Sequence, residues 1–532
     1  STSIHDHNPQ SNQYIATREF SRPLQPQKME FFLFVLNCLL CLIFTITVLR
    51  FLLASKAPAA KLPPGPARLP IIGNLHNLGF NPHKSLADLA RIHGPLMSLK
   101  LGQITTIVAS SPAAAKEILQ NHDRVLSDRH VAIALQAADI HKFSVTQLPV
   151  ESRWRNLRKV CNSHIFTTQK LDSNEGLRRA KIAELVESVR RNASERPVVD
   201  VGSVVFRATL NALSATILSM DLADEERSEA ARQFKELARG MIEEAAKPNL
   251  GDFFPVLARF DLQGIQRRIG SHFDKVLNLF EWLIEERLRE QKLESYVSTN
   301  DMLETLLAIN GDGDSREEAH MDPQSIKYLF LDLFVAGTDT TSTTLEWAMA
   351  ELLRNPSVLV KAKEELDQAI GKDNHLEESD IPRLPYLQAI VKETFRLHPP
   401  VPLLLPRKAG ADVEIDGFIV PKGAQVLVNL CAIGRDPATW NDPSSFLPER
   451  FLDSKIDAKG HDFELIPFGA GRRRCPGMLL AHRMLHMMLG SLIHWFDWKL
   501  PNGVEPKDVD MEEKFGITLH KAKPLLAIPT PT

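Results

Sequence analysis

Phe468-Gly469-Ala470-Gly471-Arg472-Arg473-Arg474-Cys475-Pro476-Gly477 sets one cysteine inside a loop rich in glycine and arginine. A lone cysteine usually reads as a buried structural thiol, but this context points elsewhere. Gly469, Gly471 and Gly477 allow the backbone to turn tightly and to approach a flat group closely. Pro476 suits a helix start, and the residues from Met478 to Phe496 have a helix-like pattern. The positive end of such a helix, with its free amides, stabilises a thiolate. As an axial ligand, a thiolate pushes electron density onto haem iron and favours O–O cleavage.

Three motifs precede this loop. Ala336-Gly337-Thr338-Asp339-Thr340-Thr341 interrupts an apolar helical stretch over 326–353. Its hydroxyls can bond back to carbonyls one turn earlier, Asp339 can cap a second helix, or the group can serve catalysis; the residues alone leave all three open. Glu393-Thr394-Phe395-Arg396 places Glu393 and Arg396 on one helix face, where they can pair, and Pro448-Glu449-Arg450-Phe451 follows. Trp154-Arg155-Asn156-Leu157-Arg158-Lys159 is a basic helix with one tryptophan, a pattern that by itself suits a solvated face.

The 532 residues are 44% hydrophobic and 24% charged, enough to bury a large core. A net charge of −3 argues against nucleic acid as partner. Five cysteines, an odd and sparse set, are not a disulfide framework, which fits a reducing compartment. Residues 1–28 read as a disordered leader or a tag, with Met29 as the native start. Residues 29–53 hold an uncharged apolar run over 31–49, sufficient for one membrane-spanning helix. The run exceeds the usual core of a cleaved signal, and Cys38 and Cys41 inside it read as small apolar residues. Arg50, Lys56, Lys61 and Arg68 follow, so the positive-inside bias predicts a cytosolic body. Residues 54–70 form a stiff proline-rich linker, and the body is expected over 71–532.

Within the body, 96–109 is strand-like around a turn at Gly102. Residues 171–400 read mainly as helices, 273–291 among them. Val413-Glu414-Ile415-Asp416-Gly417-Phe418-Ile419-Val420 carries the Asp-Gly signal of a hairpin. The expected class is mainly α with small β-sheets.

The decapeptide around Cys475 resembles the haem-binding signature F-x-x-G-x-R-x-C-x-G of cytochromes P450 at every fixed position, and the other motifs follow in the family's order. The resemblance implies the cytochrome P450 fold behind one N-terminal transmembrane helix, with haem b as cofactor and Cys475 as the axial ligand of its iron. It implies that Phe468 and Gly477 lie at the cofactor, and that Trp154, Arg158, Arg407 and Arg473 reach the haem propionates. Thr340 and Asp339 would organise water and protons over the distal face, with Gly337 leaving room for oxygen. Glu393, Arg396 and Arg450 would form a buried structural network. Arg153, Arg155, Lys159, Arg472 and Arg474 would present a docking face to a redox partner.

The likeness extends from about Met29 to the C-terminus. Pro82-His83-Lys84-Ser85-Leu86, Ser98 to Thr106 and Met511 to Thr518 are similar to a plant microsomal group that includes geraniol 8-hydroxylase and hydroxylases of abietane diterpenoids. That resemblance implies insertion of one atom of O2 into a C–H bond of a small apolar terpenoid. Electrons would come from NADPH through a separate cytochrome P450 reductase, since no dinucleotide fingerprint opens a βαβ unit here. The enzyme would sit in the endoplasmic reticulum membrane by a single pass. By analogy the pocket would draw on Ile133, Leu135, Phe143, Val335, Ala336, Val401, Leu404, Phe515 and Ile517. A haem-thiolate isomerase or dehydratase that rearranges a peroxide without a reductase is the alternative. A non-enzymatic haem binder or membrane scaffold is the third reading. The Asp339-Thr340 pair favours the monooxygenase over both.

Overall fold

In a computed structural model, the described residues are 61–532 except 196, 224–233, 235–236, 238–239, 242–243, 245–246, 300 and 310–320, together with 33–35, 37–39, 41, 42 and 45. The chain divides into two units, 1–58 and 59–532. In the first, the described positions are helical, and Thr45 Oγ1 donates to the Cys41 carbonyl at 2.7 Å. The leader assigned to 1–28, and most of the anchor and linker up to 60, lie outside the described residues.

The second unit is mostly helical. Its longer described helices are α1 Pro82–His93, α2 Ser152–Val160, α3 Glu175–Glu195, α4 Val201–Leu218, α5 Ile265–Glu290, α6 Pro323–Arg354, α7 Pro356–Ile370, α8 Pro385–Leu397 and α9 Met478–Trp495. The strands are β1 Leu96–Leu101, β2 Ile104–Ala109, β3 Asp128–Arg129, β4 Val199–Asp200, β5 Arg407–Lys408, β6 Val413–Ile415, β7 Phe418–Val420, β8 Gln425–Val428, β9 Phe496–Lys499, β10 Glu513–Phe515, β11 Leu519–Lys521 and β12 Leu526–Pro531. The largest sheet has the order β1-β2-β8-β5-β3; three smaller ones pair β4-β12-β9, β6-β7 and β10-β11. Gly102, at φ +58°, turns β1 into β2, and Asp416 and Gly417, both at positive φ, close the β6-β7 hairpin.

Helix α6 forms the axis of the body. Asp322 caps it by accepting from the Ser325 amide at 2.6 Å, and Pro323 occupies the first turn, where no amide partner is needed. It is buried almost all round toward its C-terminal half, as a core helix must be. Trp347 Nε1 donates to the Leu519 carbonyl at 2.8 Å and ties α6 to β11. Of the readings open for Ala336–Thr341, a second helix capped by Asp339 does not occur: α6 runs straight through. Thr340 Oγ1 donates to Ala336 O at 2.5 Å, Ser342 Oγ to Thr338 O at 2.9 Å and Thr344 Oγ1 to Thr340 O at 2.7 Å. Each hydroxyl thus bonds one turn back without breaking the helix.

At Gly337 a β-carbon would meet Leu213 Cδ1 at 2.9 Å, so the glycine lets α4 lie close against α6. Helix α4 is also the sole described helix long and apolar enough to cross a membrane, but about two thirds of it (67%) is buried and it packs on α6. The proline-rich segment likewise departs from a free linker. Pro63 O accepts from Ser98 Oγ at 2.6 Å, Pro64 O from Ser98 N at 2.8 Å, and Lys61 O from Ile419 N at 2.8 Å. A β-carbon on Gly65 would collide with Ser98 O at 1.9 Å. Residues 61–70 therefore dock on the sheet as part of the body.

Candidate active site

The cysteine loop is closed by its own backbone. The Cys475 amide donates to the Phe468 carbonyl at 2.9 Å, and Phe468 sets its ring edge-on against Phe395 of α8, with centroids 5.4 Å apart. Gly469 and Gly471 lie at φ +68° and +67°, a region that side chains strain to adopt. A β-carbon at Gly471 would fall 2.0 Å from Leu119 O. Gly477 needs no such freedom: at φ −82° it is the N-cap of α9. Burial pushes the Cys475 thiol up, against the Gly477 amide, Arg158 and Arg474, which favour the thiolate. Desolvation thus outweighs these groups, and a metal cation bound at the sulfur would hold it deprotonated.

Beside this loop lies a cluster of buried and half-buried arginines. Arg407 is 4% exposed and contacts Asp123 at 3.3 Å and Leu126 O at 3.2 Å. Arg473 donates to Ser127 O at 2.8 Å and to Leu148 O. Arg129, absent from the sequence expectations, donates to Thr146 O at 2.9 Å and Leu405 O at 2.8 Å. Burial and the charges of Arg407 and Arg473 push Arg129 well below its ordinary value, and burial with Arg407 brings Arg473 to about 10. Among the described residues, no carboxylate forms an ion pair with Arg129 or Arg473. Buried cations left in this state call for anionic partners, and a ligand bearing two carboxylates fits. Trp154 Nε1 donates to Val145 O at 3.1 Å, and its ring lies under the Arg473 guanidinium at 4.9 Å, where it supports that arginine. Arg158 is partly buried, and its charge interacts with Cys161 and Cys475.

Asp332 of α6 organises the loop that receives these donors. Its carboxylate accepts from Ser144 Oγ at 2.6 Å, Val145 N at 2.7 Å and Thr146 Oγ1 at 3.2 Å. The carbonyls of Val145 and Thr146 then hold Trp154 and Arg129. Burial raises Asp332 to about 6 despite those donors.

Farther along α6, Val335 is 38% exposed and Ala336 is also accessible, while Phe334 and Thr338 beside them are buried. Asp339 turns toward the β10-β11 hairpin. Thr518 Oγ1 donates to its Oδ2, and His520 Nε2 lies 3.2 Å from the same oxygen.

Glu393 and Arg396 form a bidentate pair, both contacts at 2.7 Å, with neither side chain exposed. Arg450 Nε reaches Glu393 Oε1 at 3.0 Å. Arg396 also donates to the carbonyls of Gly434, Pro443 and Ser445, which pins the segment leading to the cysteine loop.

The pocket candidates separate. Ile133 and Leu135 lie partly buried on a short helix whose Ile133 amide donates to Asp252 at 2.7 Å. Leu404 adopts φ +50°, strained for leucine, and would touch a β-carbon built on Gly469 at 3.9 Å. Val401 lies partly buried one turn earlier, its carbonyl accepting from the Leu404 amide. Ile517 is 48% exposed at the tip of the β10-β11 hairpin. Phe143 instead stacks on Tyr328 at 4.7 Å beneath Arg153, and Phe515 stacks on His83 at 5.4 Å; these contacts give both rings packing roles. Of the expected docking residues, Arg153 pairs with Asp322 at 3.4 Å and Arg472 with Asp123 at 3.2 Å, Arg474 donates to Lys459 O, and Arg155 and Lys159 are exposed. Sequence reasoning passed over Arg129, Asp332, Thr518 and His520, because nothing around them in the chain marks them.

Residues 63–528 match the family described as "Cytochrome P450". The chain is 53% identical to the geraniol 8-hydroxylase of Swertia mussotii over 489 residues, 92% of this chain and 97% of that one. Identity to the geraniol 8-hydroxylase of Catharanthus roseus is also 53%, over 93% and 99% of the two chains. A geranylhydroquinone 3''-hydroxylase of Arnebia euchroma is 50% identical over 88% and 94%. Among solved structures, a zebra fish cytochrome P450 with abiraterone superposes with a TM-score of 0.70 at 25% identity, over 85% of this chain and all of that one. With the half-buried thiol and the arginine cluster, these likenesses make the cofactor haem b and the protein a monooxygenase: the chain belongs to the cytochrome P450 family.

Proposed function

We propose that this enzyme hydroxylates a small apolar terpenoid, with a monoterpenol such as geraniol as the first candidate and an abietane diterpenoid as the second. The observation that carries the reading is 53% identity to two geraniol 8-hydroxylases over nearly the whole of both chains. Bound haem b supplies oxygen activation, and a thiolate ligand favours O–O cleavage. Cys475 would supply that thiolate to the iron. Arg129, Arg407 and Arg473, with Arg158, would hold the propionates by charge-assisted bonds. Val335, Ala336, Val401, Leu404 and Ile517 offer apolar surface to the substrate, with Ile133 and Leu135 at its edge. Thr340 holds water beside the substrate, and Asp339 supplies it with protons. A separate NADPH-dependent reductase delivers electrons, with the exposed Arg155 and Lys159 on its docking face. Residues 29–53 anchor the enzyme to the endoplasmic reticulum by a single pass, which leaves the body in the cytosol.

The test is product analysis of microsomes carrying this chain and a plant reductase, fed NADPH and a panel of geraniol, nerol, linalool and abietane diterpenes. Hydroxylated geraniol is the expected product. Turnover of none of the panel, in protein whose reduced CO complex shows the thiolate-ligated band, sinks the substrate assignment. Loss of that band in Cys475→Ala is expected, and its persistence rejects the ligand.

A further inference from the structure

Asp339 is nearly enclosed, its side chain 12% exposed. If it feeds protons toward Thr340, as proposed above, it must itself be reloaded. A buried carboxylate cannot draw protons from solvent without a connecting group, and the structure shows one. Thr518 Oγ1 is bonded both to Asp339 Oδ2 and, at 2.8 Å, to His520 Nε2. The His520 side chain is 30% exposed. From Asp339, the Thr518 hydroxyl and then the imidazole lead outward to water; His520 Nε2 also lies 3.2 Å from Asp339 Oδ2 itself, a longer contact than its 2.8 Å bond to Thr518.

We propose that His520, acting through Thr518, is the solvent-side proton donor to Asp339. The polarity of the chain suits this direction. A hydroxyl donates one proton and accepts at its lone pairs, so Thr518 can give its hydrogen to Asp339 while taking one from His520 Nε2. The O–H bond of Thr518 and the Nε2–H bond of an imidazolium break. A new O–H bond forms on Asp339 and another on Thr518. The neutral imidazole that remains recovers a proton from water by turning its exposed edge outward. No electron moves and no co-reactant besides water is required.

The charged surroundings favour the protonated form of His520. Asp339 and, two turns along α6, Glu346 face it from the helix; Lys514 lies opposite it in the β10-β11 register. The carboxylates outweigh Lys514 and the desolvation of the ring, so His520 titrates above its ordinary value. The β10-β11 hairpin also carries Ile517 at its tip. One hairpin thus supplies a pocket wall and a proton entry.

The experiment uses the full chain with its reductase in microsomes. It measures NADPH consumed, peroxide released and product formed from pH 6 to 9. Wild-type product per NADPH should fall as pH rises through the His520 titration. In His520→Gln, which keeps a donor but cannot be charged, it should fall by roughly fivefold and lose that pH dependence. Thr518→Val should match it, whereas Thr518→Ser should restore coupling. Hydrogen exchange at the imidazole C2 position, followed by mass spectrometry, reads the His520 titration directly; its midpoint should drop in Asp339→Asn. Haem content and the substrate-induced spectral change should stay at wild-type levels in every variant. If His520→Gln keeps the wild-type coupling and pH profile while Asp339→Asn loses coupling, the proposal fails and the role of Asp339 stands. Unchanged coupling in both removes Asp339 as well. Loss of haem or substrate binding in His520→Gln that Thr518→Ser shares would make the cluster structural and overturn the proposal.

Discussion

Arg129 and Arg407 face each other across the antiparallel pair β3-β5, a half-buried and a buried arginine in one register position. Like charges do not meet in a strand pair without cost, and here Arg473 adds a third. Asp123 offsets part of this charge at Arg407, and the two propionates of haem b would supply more.

Arg129→Gln is therefore expected to weaken haem retention more than fold stability. The haem-to-protein ratio of purified protein should fall, and transfer of haem to an apo-globin acceptor should quicken by roughly tenfold, the effect of losing one charge-assisted contact of about 1.5 kcal/mol. Retention equal to wild type would take Arg129 out of the propionate site.

Glu393→Ala removes the one carboxylate shared by Arg396 and Arg450. Breaking a buried pair on one side costs about 3–5 kcal/mol. Thermal unfolding of the holoprotein should move down accordingly, with poor haem incorporation, since Arg396 also holds the carbonyls of Gly434, Pro443 and Ser445. A variant as stable as wild type would show that the network has no part in supporting the core.

Asp332 gives a pH signature. Its folded value, about 6, is raised by burial above the ordinary 3.8. Its contribution to stability is therefore complete below about pH 4 and is lost as pH rises through about 6. Asp332→Asn lacks this titration. The difference in unfolding midpoint between variant and wild type should rise in the variant's favour between pH 4 and 7, by a free energy on the order of 1–3 kcal/mol. A difference that does not change with pH would mean that the carboxyl is charged throughout.

Thr340→Ala should reduce product per NADPH more than it reduces NADPH use, with the lost electrons recovered as peroxide or water. Its hydroxyl now bonds to Ala336 O, and the helix keeps that turn without it, so substrate affinity should change little. Unchanged coupling would remove Thr340 from the route and favour a rearrangement that needs no reductase.

Where chemistry depends on neighbours in the chain, the sequence was sufficient. Glu393 and Arg396 pair because residues three apart share a helix face. Asp416 and Gly417 turn because they tolerate positive φ. The cysteine loop displays its glycines, arginines and helix start in ten consecutive residues, so the family and its cofactor could be inferred from them. Folding of 61–70 onto β1, the helix contact beneath Gly337 and the packing of Phe143 and Phe515 were not legible, because each depends on a partner distant in the chain. The same holds for the polar groups around the site. Strand pairing sets Arg129 against Arg407, α6 reaches the loop at Ser144–Thr146 through Asp332, and the terminal hairpin lays Thr518 and His520 on Asp339. Sequence alone determined which groups bear the chemistry at Cys475 and that a mostly helical fold surrounds them. Only the tertiary structure decided which buried charges lack partners and from which side protons can enter, because desolvation and juxtaposition arise when distant segments pack together.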